Sequence, residues 1–417
     1  FEDGNILTIT ALTDASGSII FSPDTGITIT PDEPEALNVL FTGGGGEVEV
    51  FNITSIDGSI NYKGGVVTAS NGTEVIFTNY YMENEMKLST DGGTSSLEIT
   101  EDSTSYIANE GATFVLDYQD GDTLEISGGK FIDDYEHAIV TASSTFKTND
   151  DEDYFYLQTA GDYNINGMNV TTTEDNTPVM LSDYKTITVD GISYTPLDEN
   201  VTLTIGEDGA TVSGGKVSLQ MESFSQVSNF DTTDGSISYD NSTGKFSIAQ
   251  GTKAYIENFA DQFVAKNNFD VKVEKNSDGT FTFSTDDSAA FAIERNGSTI
   301  IGSTMTLDGS IIVNPANNQI TMPKDTTVTM TPDGGKTLLE IKALDDAGGE
   351  LTLVNGGIRF APNENDGALE FNFVNSERKV QLDVTGAFTY KGLGALSREN
   401  GTEATFTWED GNKLQLT

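Results

Sequence analysis

Phe269-Asp-Val-Lys-Val273 alternates apolar and polar side chains, passes through Asn276-Ser-Asp-Gly279, and resumes the alternation as Thr280-Phe-Thr-Phe-Ser284. A period of two places every second side chain on one face of a strand. Two such runs joined by a Gly-containing link predict a hairpin. Ile187-Thr-Val189, Asp190-Gly191 and Ile192-Ser-Tyr194 repeat the pattern with a tighter link. A two-residue Asp-Gly connection suits a type I′ turn, which needs positive φ at both central positions. Thr405-Phe-Thr-Trp408 turns at Asp410-Gly411 into Leu414-Gln-Leu416 in the same manner.

Outward from these phrases the punctuation continues. The chain holds twelve Asp-Gly and five Asn-Gly pairs, and apolar alternation fills the intervals between many of them. Strands interrupted this often predict an all-β fold. One helix is expected at most. Between 253 and 265, Tyr255, Ile256, Phe259, Ala260, Phe263 and Val264 recur at i, i+4 and i+8, with Asn267-Asn268 to end the segment.

Two phrases echo along the chain. Asp-Gly-Ser-Ile occurs at 57–60, 234–237 and 308–311, each followed 14 to 17 residues later by a turn-forming pair and a threonine. These are Asn71-Gly72-Thr73, Gln250-Gly251-Thr252 and Lys324-Asp325-Thr326. Gly386-Ala-Phe-Thr-Tyr-Lys-Gly392 with Asn400-Gly-Thr-Glu403 matches Gly58-Ser-Ile-Asn-Tyr-Lys-Gly64 with Asn71-Gly-Thr-Glu74 as a fourth copy. The second echo is a strand, Gly-Gly, then a strand, at 124–129, 210–215 and 351–357. A repeated β unit of roughly 25 residues follows, inside the window where solenoids and arrays lie. Two architectures compete. Gly-Gly phrases and steady turn frequency favour an elongated β-solenoid-like rod; tight Asp-Gly hairpins favour tandem antiparallel β-sandwich domains. The rod is the leading expectation.

All four arginines (Arg295, Arg359, Arg378, Arg398) lie in the last third. This divides the chain into a β-repeat region over 1–290 and a C-terminal β module over 291–417.

Composition removes several functions. The 417 residues include no cysteine, one histidine and one tryptophan, and 66 acids against 21 Lys and Arg give a net charge of -45. Without cysteines there is no disulfide framework, thiolate nucleophile or iron–sulfur site, and a cysteine- or histidine-rich zinc site is excluded as well. The charge has the wrong sign for nucleic acid. No apolar run approaches the ~18 residues of a membrane span. The chain opens at Phe1 without a signal peptide, as a processed or excised segment would.

Catalytic constellations are weak. With 66 acids, paired carboxylates occur everywhere and mark no glycosidase. His137, within Asp133-Asp-Tyr-Glu-His137, has no second histidine to work with, and neither a Gly-x-Ser-x-Gly elbow nor a Walker A loop is present. The chain is expected not to be an enzyme, although a β-helical polysaccharide-degrading enzyme is a third reading. Calcium is the most plausible ligand, since it takes six to eight oxygens and acidic turns supply them. The densest candidate is Asp150, Asp151, Glu152 and Asp153, joined by Asp133 and Asp134. Adjacent like charges repel, and a bound cation relieves that cost. Seven Asn-x-Ser/Thr sequons start at Asn52, Asn71, Asn169, Asn200, Asn241, Asn296 and Asn400.

Absence of cysteine, low pI, lysine well above arginine, abundant Gly, Thr, Ser and Asp, and phrases such as Leu351-Thr-Leu-Val-Asn-Gly-Gly357 resemble prokaryotic cell-surface proteins, surface-layer subunits and repeat adhesins in particular. The resemblance is one of composition and carries over no site residues. It implies a secreted or cell-surface structural protein that self-assembles as a layer, sheath or filament. Ile6-Leu-Thr-Ile-Thr10 and Leu414-Gln-Leu416 are the strands expected to pair with a neighbouring subunit. The alternative is an adhesin for host or cell-wall glycans, with aromatic candidates at Tyr80-Tyr81 and Tyr154-Phe-Tyr156.

Overall fold

The computed structural model describes residues 6–12, 14–43, 48–79, 85–99, 104–109, 111–118, 123–134, 137–140, 145–148, 153–182, 185–221, 227–255, 262–295, 298–314, 319–332, 338–343, 349–354, 357–362, 369–374, 379–390, 396–408 and 410–416. They form strands and turns, with no helix among them. The chain divides into two compact units: Phe1–Val189 with Thr202–Glu207, and Asp190–Val201 with Asp208–Thr417.

In the first unit the chain lays hairpins alternately into two ladders. Gly17–Ser22 and Gly26–Pro31 pair in one, then Leu37–Gly43 and Val48–Asp57 in the other. Ile60–Lys63 and Val66–Ala69 return to the first, and Glu74–Asn79 and Met86–Asp91 to the second. Each hairpin then bonds to the previous one on its own side, as Ile29↔Ile60 and Ile53↔Phe77 show. Alternating side chains turn one face of each ladder inward, so Ile29, Ile60, Val67 and Leu97 on one side and Phe51, Phe77 and Leu88 on the other are buried. Aromatic rings cross the gap. Phe41 lies 5.0 Å from Tyr62, Tyr106 lies 6.1 Å from Phe114, and Phe131 lies 6.3 Å from Phe146, centroid to centroid.

The second unit follows the same plan with two long exceptions. Phe281–Arg295 and Ser298–Asn314 pair along their length, with register shifts between Thr285 and Ala289 and between Ala292 and Glu294. Before the first shift they pair with Phe269–Lys275 and Gln319–Thr321; beyond it they pair with Gln262–Ala265 and Thr327–Pro332. One strand thus serves both ladders. A four-stranded sheet of Gly349–Val354, Gly357–Pro362, Phe388–Tyr390 and Leu396–Arg398 packs against the ladder containing Leu369–Val374. Phe371 there meets Phe388 at 4.8 Å and Phe360 at 6.2 Å, both edge-on. Such pairs add about 0.5–1.5 kcal/mol to their area burial.

The hairpin over 269–284 forms with Val273 opposite Phe283 and Lys275 opposite Phe281. Its link is closed by Asn276 N–H to the Thr280 carbonyl at 2.8 Å, and the Asp278 carboxylate accepts the Thr280 N–H at 3.0 Å. Asp190 (φ 52°) and Gly191 (φ 75°) both adopt the left-handed conformation a type I′ turn requires.

One expectation needs correction. Residues 253–265 supply no helix in their described parts. Lys253–Tyr255 and Gln262–Ala265 pair antiparallel, with Ala254 opposite Phe263, and residues 256–261 lie outside the described set. A helical period was read across two short strands whose apolar positions happen to fall four apart. The competing force is strand pairing: Val227–Asp231 bonds to one side of this hairpin and Phe281–Arg295 to the other, and a helix would leave both edges bare. The all-β fold is as expected, and the pairing directions describe how its strands stack. Among the described residues within each unit, the pairings are antiparallel except His137–Val140 with Asp153–Leu157, Thr145–Thr148 with Gly161–Ile165, and Met168–Thr172 with Thr202–Gly206. The hydrogen bonding is that of antiparallel hairpins and not of stacked parallel coils. Position 290, where the arginine distribution divides the sequence, falls inside Phe281–Arg295.

The Asp-Gly-Ser-Ile echo has a physical basis where hairpins switch ladders. Ile60–Lys63 and Val66–Ala69 are entered through Gly58-Ser59 and left through Ser70–Thr73. Thr73 accepts the Ser59 N–H at 3.1 Å and donates its hydroxyl to the Ser59 carbonyl at 3.2 Å, clasping the two legs together. Gly58 adopts φ 123°, and a Cβ there would lie 2.4 Å from the Thr73 hydroxyl oxygen, so only glycine fits. Thr252 donates to Ser236 at 2.9 Å, Thr326 to Ser310 at 2.7 Å, Thr402 to Ala387 at 2.7 Å and Thr232 to Gly215 at 2.8 Å. All five threonines are at most 2% exposed.

Candidate functional site: the unpaired strand edges

Interior strands of each ladder have a neighbour on both sides; terminal strands do not. Among the described residues, Ile6–Ala11 bonds only to Leu37–Gly43, and Gly17–Ser22 only to Gly26–Pro31. Lys413–Leu416 bonds only to Glu403–Trp408, and Leu396–Arg398 only to Phe388–Tyr390. A free edge presents unsatisfied N–H and C=O groups to any strand that can reach them.

Side chains on these edges are unusual. Along one core row, Tyr62 is buried, Ile27 opposite it is half-buried, and Phe21 opposite Ile27 is 72% exposed. The adjacent row runs from buried Ile60 and Ile29 to exposed Ile19. At the other terminus the row Phe371, Leu382, Phe406, Leu414 passes from 1% exposure to 49%. These positions face the core by register and lose their cover only because the ladder stops. Gly17–Ser22 also lacks the lysine, proline or bulge with which natural sheets blunt an edge. Ile6, Leu12, Ile19, Ile20 and Phe21 concentrate exposed apolar surface in the first 21 residues. Sequence reading singled out Ile6–Thr10 and Leu414–Leu416 but missed Gly17–Ser22. Its Ile-Ile-Phe run has no period of two, and that break was the available signal.

The proposed calcium ligands are only partly described. Asp133 and Asp134 close Lys130–Asp134, and Asp153 opens Asp153–Leu157. His137–Val140 lies between those strands, antiparallel to one and parallel to the other. The backbone therefore brings Asp134, His137 and Asp153 to one end of the ladder. Asp150, Asp151 and Glu152 lie outside the described residues. Among the described residues no group of three or more acidic or histidine side chains is placed to hold a metal ion. Tyr80-Tyr81 also lie outside the described set, and Tyr156 is half-buried.

Two other polar features are built. Asp231 accepts the Thr233 N–H at 3.0 Å, and Lys253 stands 3.9 Å from both Asp231 and Asp234. Burial pushes the Asp231 carboxyl up, but the Thr233 hydrogen bonds with Lys253 and Lys216 outweigh it and hold the group below its usual range. The Tyr255 hydroxyl donates to Asp231 at 3.4 Å and is pushed up, first by burial and then by that charge. Near the N-terminal edge a shallow cleft of about 470 Å³ is lined by Asp14, Ser16, Glu33, Pro34 and Glu35. Neither assembles a nucleophile with a base.

No protein-family model, no curated protein and no solved structure matches the chain. No helix among the described residues is long and apolar enough to cross a membrane.

Proposed function

We propose that the chain is an extracellular structural protein that self-assembles on the cell surface as a layer, sheath or filament. The supporting observation is that Phe21 and Leu414, core-facing by register, lie exposed on strands with one neighbour each among the described residues. Covering them buries apolar surface worth about 25 cal/mol per Å² and satisfies edge N–H and C=O groups together. A net charge of -45 opposes association and sets its conditions. Repulsion between subunits falls when salt shortens the Debye length to about 8–10 Å. Calcium is the proposed cation, with Asp133, Asp134, Asp150, Asp151, Glu152 and Asp153 as its proposed ligands. The five threonine clasps support reading the chain as an array of related hairpins.

Sedimentation and negative-stain microscopy across a salt and calcium series test this reading. Polymers that grow with salt or calcium are the expected result. Protein that stays monomeric under every condition overturns it.

A further inference from the structure

We infer that Glu340, Glu370 and Asn372 form a calcium-binding site on the outward face of a ladder in the second unit. The site is separate from the acids at 133–134 and 150–153, and it does not depend on the self-assembly reading.

The three side chains sit on adjacent interior strands. Leu338–Ala343 bonds to Thr327–Pro332 on one side and to Leu369–Val374 on the other, which bonds in turn to Lys379–Thr385. Register sets Glu340 opposite Asn372, and Glu370 lies two residues before Asn372 on the same face of its strand. Leu339, Ile341 and Phe371, which alternate with them, are buried in the core, so the three polar side chains share the outward side. Strands held along both edges fix the spacing of the side chains they carry, as a preformed site requires.

Asn372 is 1% exposed although it lies on that outward side. Its Nδ2 donates to Glu370 Oε1 at 2.5 Å and to Glu340 Oε1 at 3.3 Å, so the amide head stands between the two carboxylates. Its Oδ1 is buried and has no hydrogen-bond partner among the described residues. A buried acceptor left unpaired is costly, and two carboxylates drawn to one amide also repel each other. Lys342, opposite Glu370 by register, sets one positive charge against two negative ones.

One change answers both costs. A half-turn of the amide exchanges Oδ1 with Nδ2 and aims Oδ1 at the carboxylates. Three oxygens then converge, an arrangement that is favourable only around a cation. Calcium suits this donor set, since it takes six to eight oxygens at about 2.3–2.6 Å from carboxylates, amide carbonyls and water. Two bidentate glutamates and the amide supply about five, and water from the outward side completes the shell. Magnesium demands a near-ideal octahedron at about 2.0–2.1 Å and is the poorer fit.

Hydrogen exchange of the full chain, followed by mass spectrometry with and without calcium chloride, tests the site locally. Peptides covering 338–343 and 369–374 are expected to exchange about a hundred-fold more slowly when calcium exceeds its dissociation constant a hundred-fold. Glu340→Gln combined with Glu370→Gln, checked by circular dichroism for retained strand content, is expected to remove that difference. Asn372→Asp puts an oxygen permanently in the amide's place. It is expected to melt below the wild type without calcium and to regain the loss when calcium is added.

Exchange in the wild type that ignores calcium overturns the site. Slowing that persists in the double glutamine variant puts the ion elsewhere and also overturns it. If that variant does not fold, Asn372→Asp decides: a melting temperature that calcium does not restore shows that Asn372 serves only as a donor to the two carboxylates.

Discussion

The Thr326 hydroxyl donates to the Ser310 carbonyl at 2.7 Å and accepts the same residue's N–H at 3.3 Å. One side chain thereby bonds both backbone groups of a residue at a ladder switch. Thr73 bonds both groups of Ser59, whose carbonyl also accepts the Ser70 N–H at 3.0 Å.

Removing the hydroxyl at nearly constant volume isolates its contribution. Thr326→Val leaves the Ser310 groups without their partner, a cost of about 1–3 kcal/mol. Amide exchange at Ser310 is expected to speed up about ten-fold or more, since 1.4 kcal/mol is one decade. Thr326→Ser is expected to recover most of the protection. Unchanged exchange in the valine variant would show that the clasp stabilises nothing.

Substitution on the other side of the clasp tests space. A Cβ at Gly235 would lie 2.4 Å from the Thr252 hydroxyl oxygen and 2.6 Å from its backbone nitrogen. Gly235→Ala is expected to destabilise by roughly 1–3 kcal/mol, as for other over-packed sites. Gly279 has nothing within 4 Å of its Cβ position, and alanine there meets only the backbone cost of φ 85°. Denaturant midpoints for the two variants should rank in that order.

Acid sensitivity follows from Asp231. Its folded-state pKa is depressed, so its stabilising contribution is complete above the unfolded carboxyl value near 4 and fades as pH falls through the lower folded value. Stability of the second unit should therefore drop below about pH 4. Asp231→Asn is expected to flatten that part of the profile, read by thermal melts between pH 2 and about 6.

Ion dependence separates screening from binding. Light scattering in calcium, magnesium and sodium chloride at matched ionic strength should show assembly in all three if screening alone acts. Calcium is expected to act at lower concentration than the others, and Asp133→Asn with Asp134→Asn to remove that advantage. Equal potency of the three salts would remove calcium from the account.

Much of the fold was legible locally. The 269–284 hairpin, its turn, and the Asp190-Gly191 geometry follow from alternation and turn chemistry because both are decided within a few residues. The ladder switches were not legible as such. Gly58-Ser59 resembles any turn, and the role of Thr73 depends on a contact 14 residues away. The false helix at 253–265 has the same origin: short strands of three and four residues carry too few alternations to beat an accidental helical period. At the candidate site, Leu414 was legible from its alternation. Phe21 was not, because its exposure results from where the ladder stops.

Each of the five clasps closes one hairpin upon itself, and the alternation of hairpins bears on how the chain can change length. In residues 26–118 successive hairpins alternate sides, so losing one hairpin would put its successor on the wrong ladder. Losing two in succession, one from each side, brings Gly26–Pro31 to face Ser95–Ile99 in the same antiparallel sense as Ile60–Lys63 did. Every clasp outside the excised piece survives intact. Removing an even number of successive hairpins therefore keeps every remaining hairpin on its own ladder, and removing an odd number does not.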